Sequence, residues 1–251
     1  DDPSQAGQIL AWMLVDRSWP SFELFVHPAR FGSGLHRQML LWAEAEALRL
    51  CRPEATALNK LWIAEGDAFQ RAHLESRGFA QAGADTFFLR QLAEPLASPA
   101  VPGWTMRLCR GVDEAAARAR AQYGAFGSQK PIDLYTERFL RFMRSEAYAE
   151  ALDVVAVDEA GQVGAFCIAW VDEASRLGHL EPVGTHPDFQ RKGLARAVLL
   201  EALRLLQGRG MRQVSVCTPE DNAPAQAFYA SLGFLPLTRL SQYKKPLAGS
   251  A

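Results

Sequence analysis

The 251-residue sequence has little of what marks several common classes of protein. Its four cysteines are scattered, with no Cys-x-x-Cys pair and no histidine at metal-ligand spacing, which argues against a zinc site and a disulfide framework. No apolar run approaches the roughly 20 residues that cross a bilayer, and no charged-then-apolar leader opens the chain. These absences predict a cytoplasmic protein with free thiols, no metal and no membrane contact.

The sequence also has no lasting excess of one charge, since its net charge is −1. Steering toward the phosphate backbone of a nucleic acid is therefore not expected. With 49% hydrophobic and 22% charged residues, the composition is that of a folded protein. At this length the chain can form one large domain or two of ordinary size.

One stretch, residues 180–209, has the pattern of a strand, a tight turn and a helix. Pro187 and Asp188 end the strand, and from Gly193 onward apolar residues recur at the spacing of one helix face. The first turn of such a helix offers backbone N–H groups without partners and the positive end of the helix dipole. Because Gly193 has no side chain to block a close approach, this turn suits a pyrophosphate.

Two motifs in this half of the chain carry a family resemblance. The turn reads Gln190-x-x-Gly193-x-Ala195, and a later stretch runs from Asn222 through Tyr229 to Gly233-Phe234. Their sequence, order and separation resemble those of the GNAT acyltransferases over residues 104–245. The resemblance implies an N-acetyltransferase that binds the pyrophosphate of acetyl-CoA, its co-substrate, on the amides of the turn and transfers the acetyl group to an amine of a small molecule or peptide. It leaves open whether the protein is a monomer or a homodimer.

The order of elements in this half is repeated earlier in the chain. Gly7-Gln8, His27-Pro28 and Gly78-Phe79 recur as Gly161-Gln162, His186-Pro187 and Gly233-Phe234, at a near-constant offset of 154 to 159 residues. The predicted fold class is α/β (α+β), with two GNAT-like units in tandem whose mixed, mainly antiparallel sheets are flanked by helices. This layout is similar to that of the mycothiol synthases. The predicted domains are a degenerate, partial unit at 1–92, a proline-rich linker at 93–103 and a catalytic unit at 104–251.

The second copy has a front portion, residues 104–157, that the first copy lacks. The family uses this portion to build the site for the acceptor amine. Whether the front strands of the first copy precede residue 1 or never existed stays open. In the second copy the aromatic and basic residues of 123–144 suggest a flat or acidic group on the acceptor; they include Phe126, Tyr135, Arg138, Phe139 and Arg141.

Acetyl transfer from a thioester to an amine needs a base for the ammonium and a proton for the departing thiolate. Glu181 is a candidate base, and His179 is a rival because it shares a strand face with Glu181. A tyrosine hydroxyl, with a reference pKa of about 10, suits the second task. The resemblance places the general acid at Tyr229, which could also be an ordinary core residue of an apolar helix stripe.

Pro182 and Gly184 both weaken sheet pairing, so the strand that carries them should separate from its neighbour. The gap would let the extended arm of CoA pair with the strand backbone. The residues assigned to CoA by the resemblance are Val183, Gly184, Thr185, Arg191, Lys192, Gly193, Leu194, Ala195, Arg196 and Asn222. Two alternatives stay open: Asn222 as a plain helix N-cap, and the three basic residues as a solvated face.

The first copy differs from the second at the positions that the chemistry needs. Phe31 replaces Gln190, and His36 replaces Ala195. Phe22 replaces Glu181, and Leu74 replaces Tyr229. The hypothesis is therefore that only the C-terminal copy is catalytic. The alternatives are a CoA-binding regulatory protein without turnover, which would need neither Glu181 nor Tyr229, and a structural pseudo-dimer partner.

Overall fold

The computed structural model describes residues 8–17, 19–94, 96–97 and 100–247. Contacts divide the chain into two compact units. Unit one consists of Asp1–Phe87, Thr218–Gln226 and Leu237–Ala251, and unit two of Phe88–Cys217 and Ala227–Pro236. No helix within the described residues is both long enough and apolar enough to cross a membrane.

Unit one is a sheet with two helices. Its strands are β1 (Ala11–Asp16), β2 (Ser21–Val26), β3 (Ala57–Ala64), most of β4 (Ala80–Gln91) and most of β10 (Leu235–Pro246), and its helices are α1 (Gly34–Leu50) and α2 (Ala68–Ser76). β1 pairs antiparallel with β2 without a register shift, β2 pairs parallel with β3, and β10 pairs antiparallel with β3. The core is formed by the faces of α1 and the strands, with Phe22, Leu40, Leu58 and Ile63 fully buried.

Unit two has the sheet order β9-β8-β7-β6-β5. Its strands are β5 (Trp104–Leu108), β6 (Asp153–Asp158), β7 (Val163–Asp172), β8 (Leu177–Thr185) and β9 (Gln213–Pro219), and its helices are α3 (Ala115–Ala125), α4 (Ile132–Met143) and α5 (Leu194–Gly208). Helix α6 (Ala223–Ala230) begins in unit one and ends in unit two. Strands β5 to β8 pair antiparallel, and β8 pairs parallel with β9.

Helices cover both faces of the unit-two sheet. Strand β7 is buried at each residue from Val163 to Ala169, and both α3 and α5 contact it. Since alternate residues of a strand face opposite sides, a strand buried continuously needs a cover on both. The predicted fold class, two units with mixed and mainly antiparallel sheets flanked by helices, is confirmed.

The two halves of the sequence fold through the same order of elements. The series β1, β2, α1, β3, α2, β4 has its counterpart in β7, β8, α5, β9, α6, β10. The final strand of the second series nevertheless lies in unit one, where Pro246 pairs with Ala57. The predicted domain boundaries follow sequence order and stay a prediction; the landmark Gly7 and part of the linker at 93–103 lie outside the described residues.

Candidate active site

The N-terminus of α5 is the best-defined feature of unit two. A short 3₁₀ turn at Pro187–Phe189 leads into residues with left-handed backbone, Arg191 at φ 64° and Gly193 at φ 83°. No side chain caps the helix, which begins at Leu194. A side chain at Gly193 would meet no atom within 4 Å, so the space in front of this turn is open.

Six consecutive backbone N–H groups, from Arg191 to Arg196, have no acceptor in the part of the chain that the structure describes. The next amide, that of Ala197, donates to the carbonyl of Gly193 at 3.1 Å, as a helix requires. Unpaired amides at a helix N-terminus combine with the helix dipole to attract anions. The predicted pyrophosphate turn therefore has the donors that its function needs.

The corresponding loop of unit one uses its amides internally. Gly32 N–H donates to Nδ1 of His36 at 3.1 Å, and His36 N–H donates to Oγ of Ser33 at 3.3 Å. Ser33 N–H donates to the carbonyl of Arg30 at 3.2 Å. Burial lowers the pKa of His36, which keeps the ring neutral and able to accept. This loop has little capacity left for an anion.

Strands β8 and β9 separate where the sequence predicts. Their parallel pairing runs from Leu177 only to the pair His179 and Ser215. On the other edge of β8, His186 N–H donates to Gly164 at 2.9 Å. Because successive residues direct their N–H and C=O groups to opposite edges, those of Val183 and Thr185 face the side on which β9 has separated.

Gly184 has a packing role that the sequence did not reveal. A Cβ atom there would lie 2.4 Å from the ring of Phe166 and 3.0 Å from Cβ of Ala125 on α3. Distances this short exclude any side chain, so glycine is needed for α3 to approach β8. A role of Gly184 in binding CoA stays a prediction.

In unit one a buried ion pair fills the region between β2 and β3. Nζ of Lys60 donates to Oε2 of Glu23 at 2.7 Å, and Leu61 N–H donates to Oε1 of Glu23 at 3.1 Å. Both side chains are almost completely shielded from solvent. Glu23 directly follows Phe22, the residue that replaces Glu181 in this unit, and its carboxylate is paired with Lys60.

Glu181 and His179 form one hydrogen-bonded group. Nε2 of His179 lies 3.2 Å from Oε2 of Glu181, and Nδ1 of His179 lies 2.9 Å from Oγ of Ser215. The hydrogen bond from His179 lowers the pKa of Glu181. Trp170 holds the same residue from the other side, since its Nε1–H donates to the Glu181 carbonyl at 2.6 Å. The two rival bases are thus partners.

Tyr229 is 7% exposed and packs against Phe88 and Phe234 at ring-centroid distances of 6.3 and 5.8 Å. Within the described residues its hydroxyl has no hydrogen-bond partner, although it is not among the polar atoms that are fully enclosed. Burial raises the pKa of Tyr229. The hydroxyl is therefore protonated at neutral pH.

A cavity of about 450 Å³ opens beside Glu181. Four of its ten lining residues are aromatic, namely Tyr135, Phe139, Phe142 and Trp170. Its polar side chains are Gln122, Lys130, Arg138 and Glu181. The structure thus brings three of the predicted acceptor residues, Tyr135, Arg138 and Phe139, next to the candidate base.

Other predicted residues lie elsewhere. Phe126 is 55% exposed and Arg141 donates to Glu137 at 2.9 Å; neither lines the cavity. Oδ1 of Asn222 accepts from Ala225 N–H at 3.2 Å, which is an N-cap hydrogen bond, and its contact with CoA stays a prediction. Among the basic residues, Arg191 and Lys192 are exposed, and Nη1 of Arg196 lies 3.5 Å from the Ser231 carbonyl.

Several residues of the site gave no usable signal in the sequence. Ser215 and Trp170 lie on β9 and β7, and only the register of these strands brings them to His179 and Glu181. Gln122 is one polar residue among many on α3. Across the described ranges, no group of three or more His, Cys, Asp or Glu side chains is arranged to hold a metal ion.

Similar proteins identify the family of this chain. The sequence model of the acetyltransferase (GNAT) family matches residues 117–234. The mycothiol acetyltransferase of Streptomyces bingchenggensis (strain BCW-1) is 30% identical, over 86% of this chain and 69% of that protein. That of Thermobifida fusca (strain YX) is 32% identical, over 92% of this chain and 77% of that protein.

Two solved structures share the fold. A GCN5-related N-acetyltransferase from Sphaerobacter thermophilus gives a TM-score of 0.74 at 24% identity, over 96% of this chain and 78% of its own. A tandem GNAT protein from the clavulanic acid biosynthesis pathway gives a TM-score of 0.68 at 20% identity, over 90% of this chain and 75% of its own. The open helix N-terminus, the separated strands and the similarity over most of both chains lead to one assignment: this chain belongs to the acetyltransferase (GNAT) family and is an N-acetyltransferase.

Proposed function

We propose that unit two transfers the acetyl group of acetyl-CoA to a primary amine of a small molecule or peptide by direct attack. The observation that carries this proposal is the run of six unpaired amides from Arg191 to Arg196. Enzymes of this family use acetyl-CoA, and such a run suits its pyrophosphate. The backbone of Val183 and Thr185, at the open edge of β8, is suited to the extended arm of CoA.

In the proposed reaction, the pair of Glu181 and His179 removes a proton from the ammonium of the acceptor. The amine nitrogen then forms a bond to the thioester carbon, and the C–S bond breaks with its electron pair on sulfur. Because Glu181 has a lowered pKa, it is ionised at neutral pH and attracts the ammonium. Ser215 and Trp170 position the pair from opposite sides, as their hydrogen bonds indicate.

Tyr229 acts on the departing sulfur. Its raised pKa means that the hydroxyl holds its proton until negative charge develops beside it. A phenol of this kind is a weaker acid than a thiol, whose reference pKa is about 8.5, so proton transfer is uphill at equilibrium. It proceeds as the C–S bond breaks, or stops at a hydrogen bond that stabilises the thiolate. Either contribution depends on the same oxygen atom.

The same site would also serve a CoA-binding regulator, and turnover separates the two functions. Purified protein is incubated with acetyl-CoA and a panel of primary amines that includes acceptors related to mycothiol, because the similar proteins carry that name. Free CoA thiol and acetylated amine are measured together. Equal amounts of both, at rates that require the protein, support the enzyme. CoA binding without acetylation of any amine would favour the regulator.

A further inference from the structure

The cavity beside Glu181 contains two positive charges that the protein leaves unpaired. Within the described chain, neither Lys130 nor Arg138 has a side-chain hydrogen bond or an ion-pair partner, although both line the cavity. Arg141, three residues after Arg138 on α4, is different, because it donates to Glu137 at 2.9 Å and lies outside the cavity. Lys130 and Arg138 are both exposed at the cavity wall, so their charged ends are available to contact an anionic group of a ligand.

A third donor in the cavity is held in a fixed orientation. Oε1 of Gln122 accepts from Nη1 of Arg118 at 3.1 Å. Arg118 is completely buried and held by Asp153, whose carboxylate oxygens lie 3.1 and 3.2 Å from its Nε. Since the amide oxygen must face Arg118, the amide NH₂ of Gln122 is the end left for the cavity. No partner for that NH₂ group occurs within the described residues.

The polar groups of the cavity are therefore arranged with donors in excess. Gln122, Lys130 and Arg138 donate, and Glu181 accepts and carries the only negative charge on its walls. The formal charge of the cavity is then positive. An ammonium on its own would be attracted by Glu181 and repelled by the two cations.

We propose that the acceptor of this enzyme is an amine that also carries an acidic group, a carboxylate or a phosphate. The amine faces Glu181, the acidic group contacts Lys130, Arg138 and the amide of Gln122, and the aromatic side chains enclose the part between them. This proposal rests on the proposed acetyl transfer by unit two. It also predicts that polyamines, which carry only positive charge, are poor acceptors.

The test compares acceptors that differ in one charge. ω-Amino acids of increasing length are paired with their carboxamides, and aminoalkyl phosphates with the matching amino alcohols; chains long enough to separate the two ends keep the amine pKa alike within a pair. We expect kcat/KM to be about tenfold higher for the acidic member at low ionic strength, and the ratio to fall as salt screens the charges. The series with the larger ratio identifies the acidic group.

Two variants assign the preference to the cavity. Arg138→Met and Lys130→Met each remove a charge and keep much of the side-chain volume, so each should reduce the ratio of acid to amide several-fold. Arg141→Met is the matched control on the same helix and should leave the ratio unchanged. A ratio that stays the same in all three variants would overturn the proposal.

The outcomes also separate this proposal from acetyl transfer itself. If acid and amide are acetylated with equal kcat/KM, the acidic acceptor is wrong and acetyl transfer stands. If no amine is acetylated, the proposal of acetyl transfer is wrong. Isothermal titration of the same pairs then tests whether the cavity binds the acidic member more tightly. Tighter binding of the acid, lost in Arg138→Met, then supports an anion site, whereas equal binding of both members contradicts it.

Discussion

The ring and the hydroxyl of Tyr229 have different surroundings. Its ring packs with Phe88 and Phe234, as a core residue would, while its hydroxyl has no protein partner in the described chain. The hydroxyl is not among the fully enclosed polar atoms, so it can contact a ligand, as the proposed role of a general acid requires.

Tyr229→Phe should keep the fold and remove the function of the oxygen. The packing of the ring is retained, and no hydrogen bond within the described chain is broken, so thermal stability and CoA affinity should change little. We expect kcat to fall by about 10²–10⁴-fold, the range for a general acid. Tyr243→Phe is the control for removal of a tyrosine hydroxyl in the core of unit one; it breaks a hydrogen bond to Glu75 and should leave kcat unchanged. Full activity in Tyr229→Phe would show that the tyrosine only packs.

Glu181→Gln tests which group is the base. The hydrogen bond from His179 lowers the pKa of Glu181 below its ordinary value of 4.5, so its carboxylate loses its charge only as pH falls below that value. If Glu181 alone accepts the proton, the acidic limb of kcat against pH lies in that acidic range and disappears in the variant. A limb well above that range in the wild type, retained in Glu181→Gln, would point to His179 or to the amine.

The sequence could predict the residues of the site that belong to local motifs, and it could not predict their partners. Gly193 and the amides around it follow from one strand-turn-helix pattern. The contacts of His179 with Ser215 and of Gln122 with Arg118 depend on strand register and on a charge buried beneath a helix. Neither produces a periodic signal.

At the scale of elements, the N-terminus of α5 differs from that of α1 mainly in what its amides bind. Gly193→Val should abolish CoA binding, because a β-branched residue at φ 83° is strained and its side chain enters the space in front of the turn. Gly34→Val, at the corresponding position of α1, is the control and should leave CoA affinity unchanged. Affinity is measured by titration calorimetry, with thermal unfolding of both variants. Unchanged affinity in Gly193→Val would mean that the CoA site is elsewhere.

Helix α1 buries a charged residue and exposes an aromatic one. Trp42 is 55% exposed, whereas Glu44, two residues later, is 2% exposed. The carboxylate of Glu44 is neutralised by Nε of Arg77 at 2.9 Å and by Nζ of Lys245 at 2.8 Å. A charge becomes a core residue when distant side chains pair with it, and the pattern of apolar residues contains no information about such pairs.

The ion pair of Lys60 and Glu23 gives a stability prediction for unit one. Glu23→Gln or Lys60→Met alone leaves one buried charge without its partner and should cost about 3–5 kcal/mol of unfolding free energy. The double variant Glu23→Gln with Lys60→Met should cost clearly less than the sum of the two single variants. The exposed pair of Arg141 and Glu137 is the control, with about 0–1 kcal/mol expected. Chemical denaturation measures all of these; additive costs would show that the pair is not coupled.

At the scale of the whole molecule, the repeat was visible in the sequence because paired landmarks lie at nearly one spacing. The order of elements follows from it and is confirmed. The location of β10 was not predictable in this way, since a repeat says that two strands are alike and not which strand each will pair with.

The location of β10 has a consequence for how the protein is made. Strand β3 is synthesised before unit two, whereas most of its partner β10 is synthesised after unit two. Ala57 therefore cannot pair with Pro246 until nearly all of the chain described here has been made. During translation, unit one has an unpaired edge on strand β3. Unpaired strand edges are surfaces through which nascent chains aggregate. Pairing over so long a separation is also slow. Unit one should therefore be the unit of the nascent protein that depends more on chaperones, although most of it precedes unit two in the chain.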